Sequence, residues 1–497
     1  MKTKSICIWV IAALTLMSCL DEKPKTQLTE EQAFENATAL YKNTVATLYN
    51  YIGGNSDSQG LQGTYRGVYD FNTFTTDEAM LPTRGGDWYD GGFWQDLYLH
   101  EWREYDEALY ATWLYLYKVI GQCNFSLDKL DEYGRILLTE RELAVSKAEV
   151  RALRAMFYFY TMDMFGRVPL SLTSELKQAE QPERSVTYRF IFNELQESAP
   201  YLSEEMSQHD GYYYGKFTRG VAYFLLAKLA LNAEVYADDD WTDGVRPSGQ
   251  EIRFEVDGES LNAWETTLAY CRKVEQMGYQ LEPDYPTNFC ISNEVSTENI
   301  FTIPMDKTLY TSLFKNLFRS RHYSHGAAVG TASENGSCAT LSTVRTYGYG
   351  TPDEDTRYTF NFYSDTVYVD GKVVTMQGGA PLVYMPLEVK LNLTGSPYEK
   401  TAGARMSQYE VDRTAYSDGQ LQSNDIVLFR YADVLLMAAE AKVRNGQDGS
   451  EELNQVRRRV DMPDRTATLS TILDERLLEL MWEGWRRQDL IRFGLFH

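Results

Sequence analysis

Apolar residues recur at helical spacing in several separated stretches of the chain. In "AEVRALRAMFYFYTMDMFG", Ala148, Ala152, Ala155, Phe159 and Met162 step alternately by four and three, which puts them on one face of a helix. Gly166 stops that pattern and Pro169 follows it, as at a helix end. "FTRGVAYFLLAKLALNAEVY" repeats the style, with Ala222, Leu225, Leu229 and Ala233 on one face. "AWETTLAYCRKVEQMGYQL" predicts a third helix, and "RYADVLLMAAEAKVRNG", "EELNQVRRRV" and "LSTILDERLLELMWEGWRRQDLIRFG" predict three more. A helix is also expected from Glu30 to Asn50, and helical spacing resumes near Asp106 after a loop-rich stretch over 53–95.

Small residues at turn spacing let helices pack closely, as in tetratricopeptide-type hairpins, although no strict period of about 34 residues is present. The fold expected is mostly α, with helical hairpins over 31–279 and again over 426–497. Between them, 280–425 is rich in Gly, Thr, Ser, Tyr and Pro and carries short β-like pieces such as "NIFTIP" and "DTVYVDGKVVTM". An insertion of that length is too long for a structureless loop, so it is expected to form a loop-rich lobe with short strands.

The stretch "PTRGGDWYDGGFWQ", Pro82 to Gln95, fits no period. It holds Trp88, Tyr89 and Trp94 between pairs of glycines. Gly85-Gly86 and Gly91-Gly92 let the backbone turn so that Trp88 and Tyr89 stand out, with no neighbour in sequence to cover them. Trp94 leads into an apolar run with Phe93, Leu97 and Tyr98 and is expected in the core.

The N-terminus, "MKTKSICIWVIAALTLMSCL", has Lys2 and Lys4 before a twelve-residue apolar run. That run is too short to span a bilayer and fits an export signal over 1–18. It ends in Leu16-Met17-Ser18-Cys19, which resembles a bacterial lipobox, with Cys19 as the acylated residue and 19–30 as a polar tether. The acidic Asp21-Glu22 pair after the cysteine resembles a surface-export signal of Bacteroidetes lipoproteins.

The chain has 497 residues, a formal net charge of −23 and 36 tyrosines. Without the leader, 46 basic residues face 71 acidic ones. Such a charge argues against a nucleic-acid partner, which needs basic patches, and does not repel a neutral ligand. The cysteines form no C-x-x-C pair, so no zinc or redox site is expected; Cys123, Cys271, Cys290 and Cys338 read as small buried hydrophobes, with room for one disulfide. No H-E-x-x-H, G-x-S-x-G, P-loop or dinucleotide fingerprint occurs, and no metal or cofactor is expected. His322 and His325 lack a third ligand and read as surface histidines. "DDDWTDG" reads as a solvated acidic turn. Glu475, Glu479 and Glu483, with Arg476, Arg486, Arg487 and Arg492, read as a charged helix face laced with ion pairs.

Three C-terminal blocks, "FRYADVLLMAAEA" (Phe429 to Ala441), "LNQVRRRV" (Leu453 to Val460) and "ILDERLLELMWEGWRRQDLIRFG" (Ile472 to Gly494), resemble the SusD/RagB family of nutrient-uptake lipoproteins. "TTDEAM" around Asp77, "WLYLYKVIGQCNFSLDKL" (Trp113 to Leu130) and "ENIFTIP" (Glu298 to Pro304) resemble its other blocks. The resemblance implies a lipid-anchored, non-catalytic protein on the outer surface that captures glycans and passes them to a SusC-like TonB-dependent transporter. It also implies that Asp77, Arg84 and Trp88 belong to the sugar site, since they fall in matching positions. Tyr89 joins them by adjacency, and Tyr310, Tyr323, Tyr347 and Tyr349 of the inserted segment are the candidates for the opposing wall. The family usually continues past the "IRFG" block, which implies a shortened C-terminus. A surface glycoside hydrolase built on an unrecognised carboxylate pair and a scaffold that binds only proteins are the alternatives.

Overall fold

The computed structural model describes residues 29–175, 177–309, 312–415 and 421–497. The leader, Cys19 and Tyr310 lie outside the described residues. Nine helices of eight or more residues occur among the described residues: α1 (Glu107–Lys129), α2 (Glu140–Phe165), α3 (Arg184–Ser198), α4 (Arg219–Leu231), α5 (Ala263–Gln276), α6 (Tyr431–Arg444), α7 (Ser450–Arg459), α8 (Leu469–Glu479) and α9 (Arg486–Phe493). They pack largely in chain order, α1 on α2, α2 on α3, α3 on α4 and α4 on α5. α5 then packs on α6, although about 150 residues separate them in sequence, and α6 packs on α7 and α8.

The sequence pattern explains most of this. Thr139 and Glu142 form a reciprocal capping box that starts α2, and Asn262 and Glu265 do the same for α5. The predicted faces of α2 and α4 are buried. The C-terminal half of α2 is in fact buried nearly all round, including Leu153, Met156, Phe157 and Tyr158, because both α1 and α3 pack against it. α3 was not among the predicted helices; it buries Tyr188, Ile191, Phe192 and Leu195, which share one helical face.

Two predicted helices are broken. The Glu30–Asn50 segment is divided into short turns around a π-helical stretch, Lys42–Ala46. The C-terminal pattern is split into α8 and α9 by a buried turn in which Trp482 has φ 68° and Gly484 φ 75°. The Trp482 indole N–H donates to the Asn361 carbonyl at 3.2 Å, so a tertiary contact holds a left-handed tryptophan where periodicity would continue the helix.

The inserted segment enters the main core. Phe289, Phe314, Tyr347, Phe362 and Tyr409 belong to the same apolar cluster as the helices. A small separate cluster, Val367, Val374, Leu382 and Tyr384, closes the hairpin region. The sheets are all two-stranded among the described residues. The longest buried pair among the described residues is β1 (Asn299–Ile303) with β2 (Ile426–Arg430), antiparallel and bulged. It ties the start of the insertion to its end and delivers Arg430 at the start of α6.

Candidate functional site

Pro82–Gln95 folds back on itself through exchanged backbone bonds between Arg84 and Asp87. Gly85 sits at φ 70°, a conformation that favours glycine, and a Cβ there would have to displace the Glu399 carboxylate. Trp88 and Asp90 also adopt positive φ, 62° and 43°, a conformation unfavourable for side-chain-bearing residues. Surrounding contacts hold it: the Asp90 carboxylate accepts from Arg66 and from the Trp94 indole, both at 2.8 Å. Trp94 is buried, as expected.

Trp88 does not stand free. Its indole N–H donates to the Glu334 carbonyl at 2.9 Å, and its ring meets Trp94 and Tyr65 edge-on at 5.9 and 6.4 Å. Gly336 lies directly under the ring; a Cβ there would stand 2.7 Å from the indole. Trp94 comes from the same loop, against the expectation that no sequence neighbour covers Trp88, while Glu334 and Gly336 come from about 250 positions away and gave no local sign. The indole is half-buried, with Tyr89 beside it 58% exposed.

The Asp87 carboxylate accepts from the Tyr323 hydroxyl at 2.9 Å and from Lys400 at 2.8 Å. The hydrogen bond from Lys400 holds its carboxyl below the usual range. Tyr323 is 46% exposed, and burial together with Asp87 pushes its hydroxyl up to about 12. Lys400 also donates to the Arg84 carbonyl at 2.9 Å. Trp88, Tyr89, Asp87, Tyr323 and Lys400 therefore form one surface of ring faces and charged or hydroxyl groups, built from three distant segments. Asp87, Lys400, Tyr65 and Glu334 were not singled out by the sequence, and no spacing signal links them.

Other expected site residues lie elsewhere. Arg84 is fully buried and is corrected to a structural role: it donates to the carbonyls of Gly336, Glu399 and Ala402 at 2.9–3.2 Å, and burial pulls it down to about 9. Tyr347 is likewise buried, with its hydroxyl donating to the Leu478 carbonyl at 2.7 Å, and cannot form an outer wall. Tyr349 is half-buried against Tyr358 and donates to Asp365 at 2.8 Å, so its partners are not those of Trp88. Asp77 has both carboxylate oxygens on Arg486, at 2.7 and 2.8 Å. His322 and His325 are buried rather than superficial; burial pushes them down to about 4 and about 3. Cys123, Cys271, Cys290 and Cys338 are free thiols, and Cys290 is only partly buried. Among the described residues no group of three or more His, Cys, Asp or Glu is placed to hold a metal.

Glu78, next to Asp77, is buried with one oxygen accepting from the Trp482 backbone N–H at 2.6 Å. Burial pushes its carboxyl up to about 8. The folded chain thus holds this proton more tightly than the unfolded chain. Its stabilising contribution is complete below about pH 4.5 and is lost as pH rises toward 8. Glu78→Gln is expected to melt near wild type at pH 5 and above wild type at pH 9. Equal melting differences at both pH values would show that Glu78 does not titrate in this window.

A groove of about 940 Å³ opens elsewhere, between α5, α6 and α7. It is lined by aliphatic and charged side chains such as Leu268, Arg272, Leu435 and Lys442, and its single aromatic, Tyr431, is itself buried. The Trp88 surface presents the exposed rings of Tyr89 and Tyr323 and the half-buried indole beside polar groups, which is the chemistry that a sugar ring, with C–H faces and a rim of hydroxyls, requires.

Comparison with known proteins gives one consistent result. A family model described as "Starch-binding associating with outer membrane" matches residues 19–231, and the SusD family model matches 328–497. The starch-binding protein SusD of Bacteroides thetaiotaomicron is 23% identical over 88% of this chain and 78% of its own. Among solved structures, surface glycan-binding protein A from Bacteroides uniformis superposes with TM-score 0.70 at 18% identity, covering 92% of this chain and 88% of that one. The corresponding protein from Bacteroides thetaiotaomicron, in complex with laminarihexaose, gives TM-score 0.69 at 19% identity, over 93% and 91%. With its tetratricopeptide-like helical stack and family matches at both ends, the chain belongs to the SusD/RagB family.

Proposed function

We propose that this protein is a non-catalytic, cell-surface glycan-binding lipoprotein that captures oligosaccharide and delivers it to a SusC-like TonB-dependent transporter in the outer membrane. The observation that carries the glycan reading is the surface of Trp88, Tyr89 and Tyr323 around the Asp87–Lys400 pair. Ring faces take the apolar side of a pyranose, while Asp87, Lys400 and the Tyr323 hydroxyl take its hydroxyls. The names of the similar proteins, starch-binding and surface glycan-binding, support the same class of ligand. Soluble starch and laminarin are therefore the first probes. Retardation in a glycan-containing gel, with no new reducing ends on long incubation, is the expected result. Release of reducing ends would favour the hydrolase reading, and binding to no polysaccharide of a broad panel would favour the protein scaffold.

The anchor rests on Cys19. No described helix is long and apolar enough to cross a membrane, so attachment to the outer membrane is proposed to depend on acylation of that thiol. Cys19→Ala is expected to leave the membrane fraction or accumulate unprocessed, and to take up no labelled palmitate. Labelled palmitate in the variant would refute the lipobox reading. Purification of the wild-type protein from its native membrane in mild detergent is expected to bring a large TonB-dependent barrel with it.

A further inference from the structure

Among the described residues, eight arginines are at most 1% exposed. Five of them, Arg319, Arg357, Arg430, Arg457 and Arg476, each hold at least one carboxylate. The other three, Arg84, Arg321 and Arg405, hold none, and they lie together around the paired segments 319–321 and 335–337. Arg405 donates to the Ser320 carbonyl at 2.8 Å and Arg84 to the Gly336 carbonyl at 3.2 Å, while the Asn335 N–H donates to the Arg321 carbonyl at 2.8 Å.

Arg84 and Arg405 use their donors on backbone carbonyls, which satisfy hydrogen bonds but supply no net negative charge. Arg321 does not have even that: all three guanidinium nitrogens are buried without an acceptor. Its guanidinium carbon lies 5.9 Å from the centre of the Tyr363 ring, a weak substitute for a counter-ion. Both amide atoms of the fully buried Asn335 are also unpartnered, as are the Thr331 and Ser333 hydroxyls on the same returning loop. Isolated buried charge is costly, and buried donors are nearly always satisfied. His325, whose imidazole is pushed down by burial and by Arg321, is no counter-ion in either protonation state.

We propose that Arg321, Asn335 and the hydroxyls of Thr331 and Ser333 form an internal binding site for a small inorganic monovalent anion such as chloride. The anion supplies the negative charge that the three guanidiniums lack and the acceptor that Arg321 lacks. The loop it closes carries the Glu334 carbonyl and Gly336 beneath Trp88, and Tyr323 beside Asp87. The ion therefore fixes one wall of the aromatic surface from inside, without itself contacting a ligand there. The site does not depend on what that surface binds.

The test is melting of the full chain at constant ionic strength as gluconate is exchanged for chloride. A ligand at about a hundredfold over its Kd is expected to raise the melting temperature by roughly 2–3 °C for a chain of this size. Crystals grown with bromide are expected to show an anomalous peak beside the Arg321 guanidinium. Arg321→Met is expected to lose the chloride dependence. Should that variant fail to fold, Asn335→Asp, which places a carboxylate in the same site, is expected to melt independently of chloride. A wild-type melting temperature equal in chloride and gluconate, with only water density beside Arg321, would overturn the proposal. So would a chloride effect of the same size in Arg321→Met or Asn335→Asp, because the ion would then lie elsewhere.

Discussion

Arg430→Met is expected to lower stability by about 4 kcal/mol, or roughly 4 °C in melting temperature for a chain of this length. Arg430 ends β2 and caps the start of α6, and from there it reaches Glu298, Glu479 and Glu483 at 2.5–3.0 Å. It is one of four arginines, with Arg357, Arg457 and Arg459, that interlock with five carboxylates, Asp355, Glu298, Glu475, Glu479 and Glu483. All nine side chains are nearly inaccessible to water. Removing one cation leaves several carboxylates facing one another without solvent, which is much costlier than losing an exposed pair. The Glu479 carboxyl, drawn down to about 2 mainly by Arg459, Arg430 and Arg357 against the opposing effect of burial, reports the same coupling. That contribution is present above about pH 4.5 and is lost as pH falls toward 2. Combining Arg430→Met with Glu483→Gln is expected to recover part of the loss, since one unpaired charge is then removed. A single variant that melts within 1 °C of wild type, about the smallest reliable shift on the scale of such effects, would show that water or a neighbouring cation replaces Arg430.

Trp88→Ala is expected to weaken glycan binding about thirtyfold or more, equivalent to about 2 kcal/mol for a central aromatic anchor. The same change is also expected to lower the melting temperature by a few degrees, because the indole seals Gly336 and bonds the Glu334 carbonyl. The companion Tyr89→Ala separates the two effects: this ring is exposed, so its loss is expected to weaken binding without changing the melting temperature. Wild-type affinity in both variants would move the ligand away from this surface. The groove between α5 and α6 would then be the next place to test, by Arg272→Ala.

The C-terminal charge pattern shows where sequence reading stops. Glu475, Glu479 and Glu483 at four-residue spacing look the same whether they face water or protein, because spacing fixes the side of a helix but not what covers it. Their partners are Arg357, Arg430, Arg457 and Arg459, contributed by other elements, and the helix itself ends between Glu479 and Glu483. Arg84 failed in the same way. It stands in the right loop, but its side chain turns inward to carbonyls more than 250 residues distant in sequence.

What the sequence determined by itself was local or periodic. The apolar steps of α2 and α4, the capping boxes at Thr139 and Asn262, the stop at Gly166 and the strand "NIFTIP" all follow from residues within a turn or two of one another. The two glycine pairs marked the loop that bears Trp88 and Tyr89 for the same reason. The tertiary structure alone decided burial and partnership between distant segments. It put Glu334 and Gly336 under Trp88, joined Asp87 to Tyr323 and Lys400, gave most buried arginines a carboxylate and left Arg84, Arg321 and Arg405 without one. Those outcomes depend on which elements meet, and a charge or a ring acquires its role only from the groups that remove water from around it.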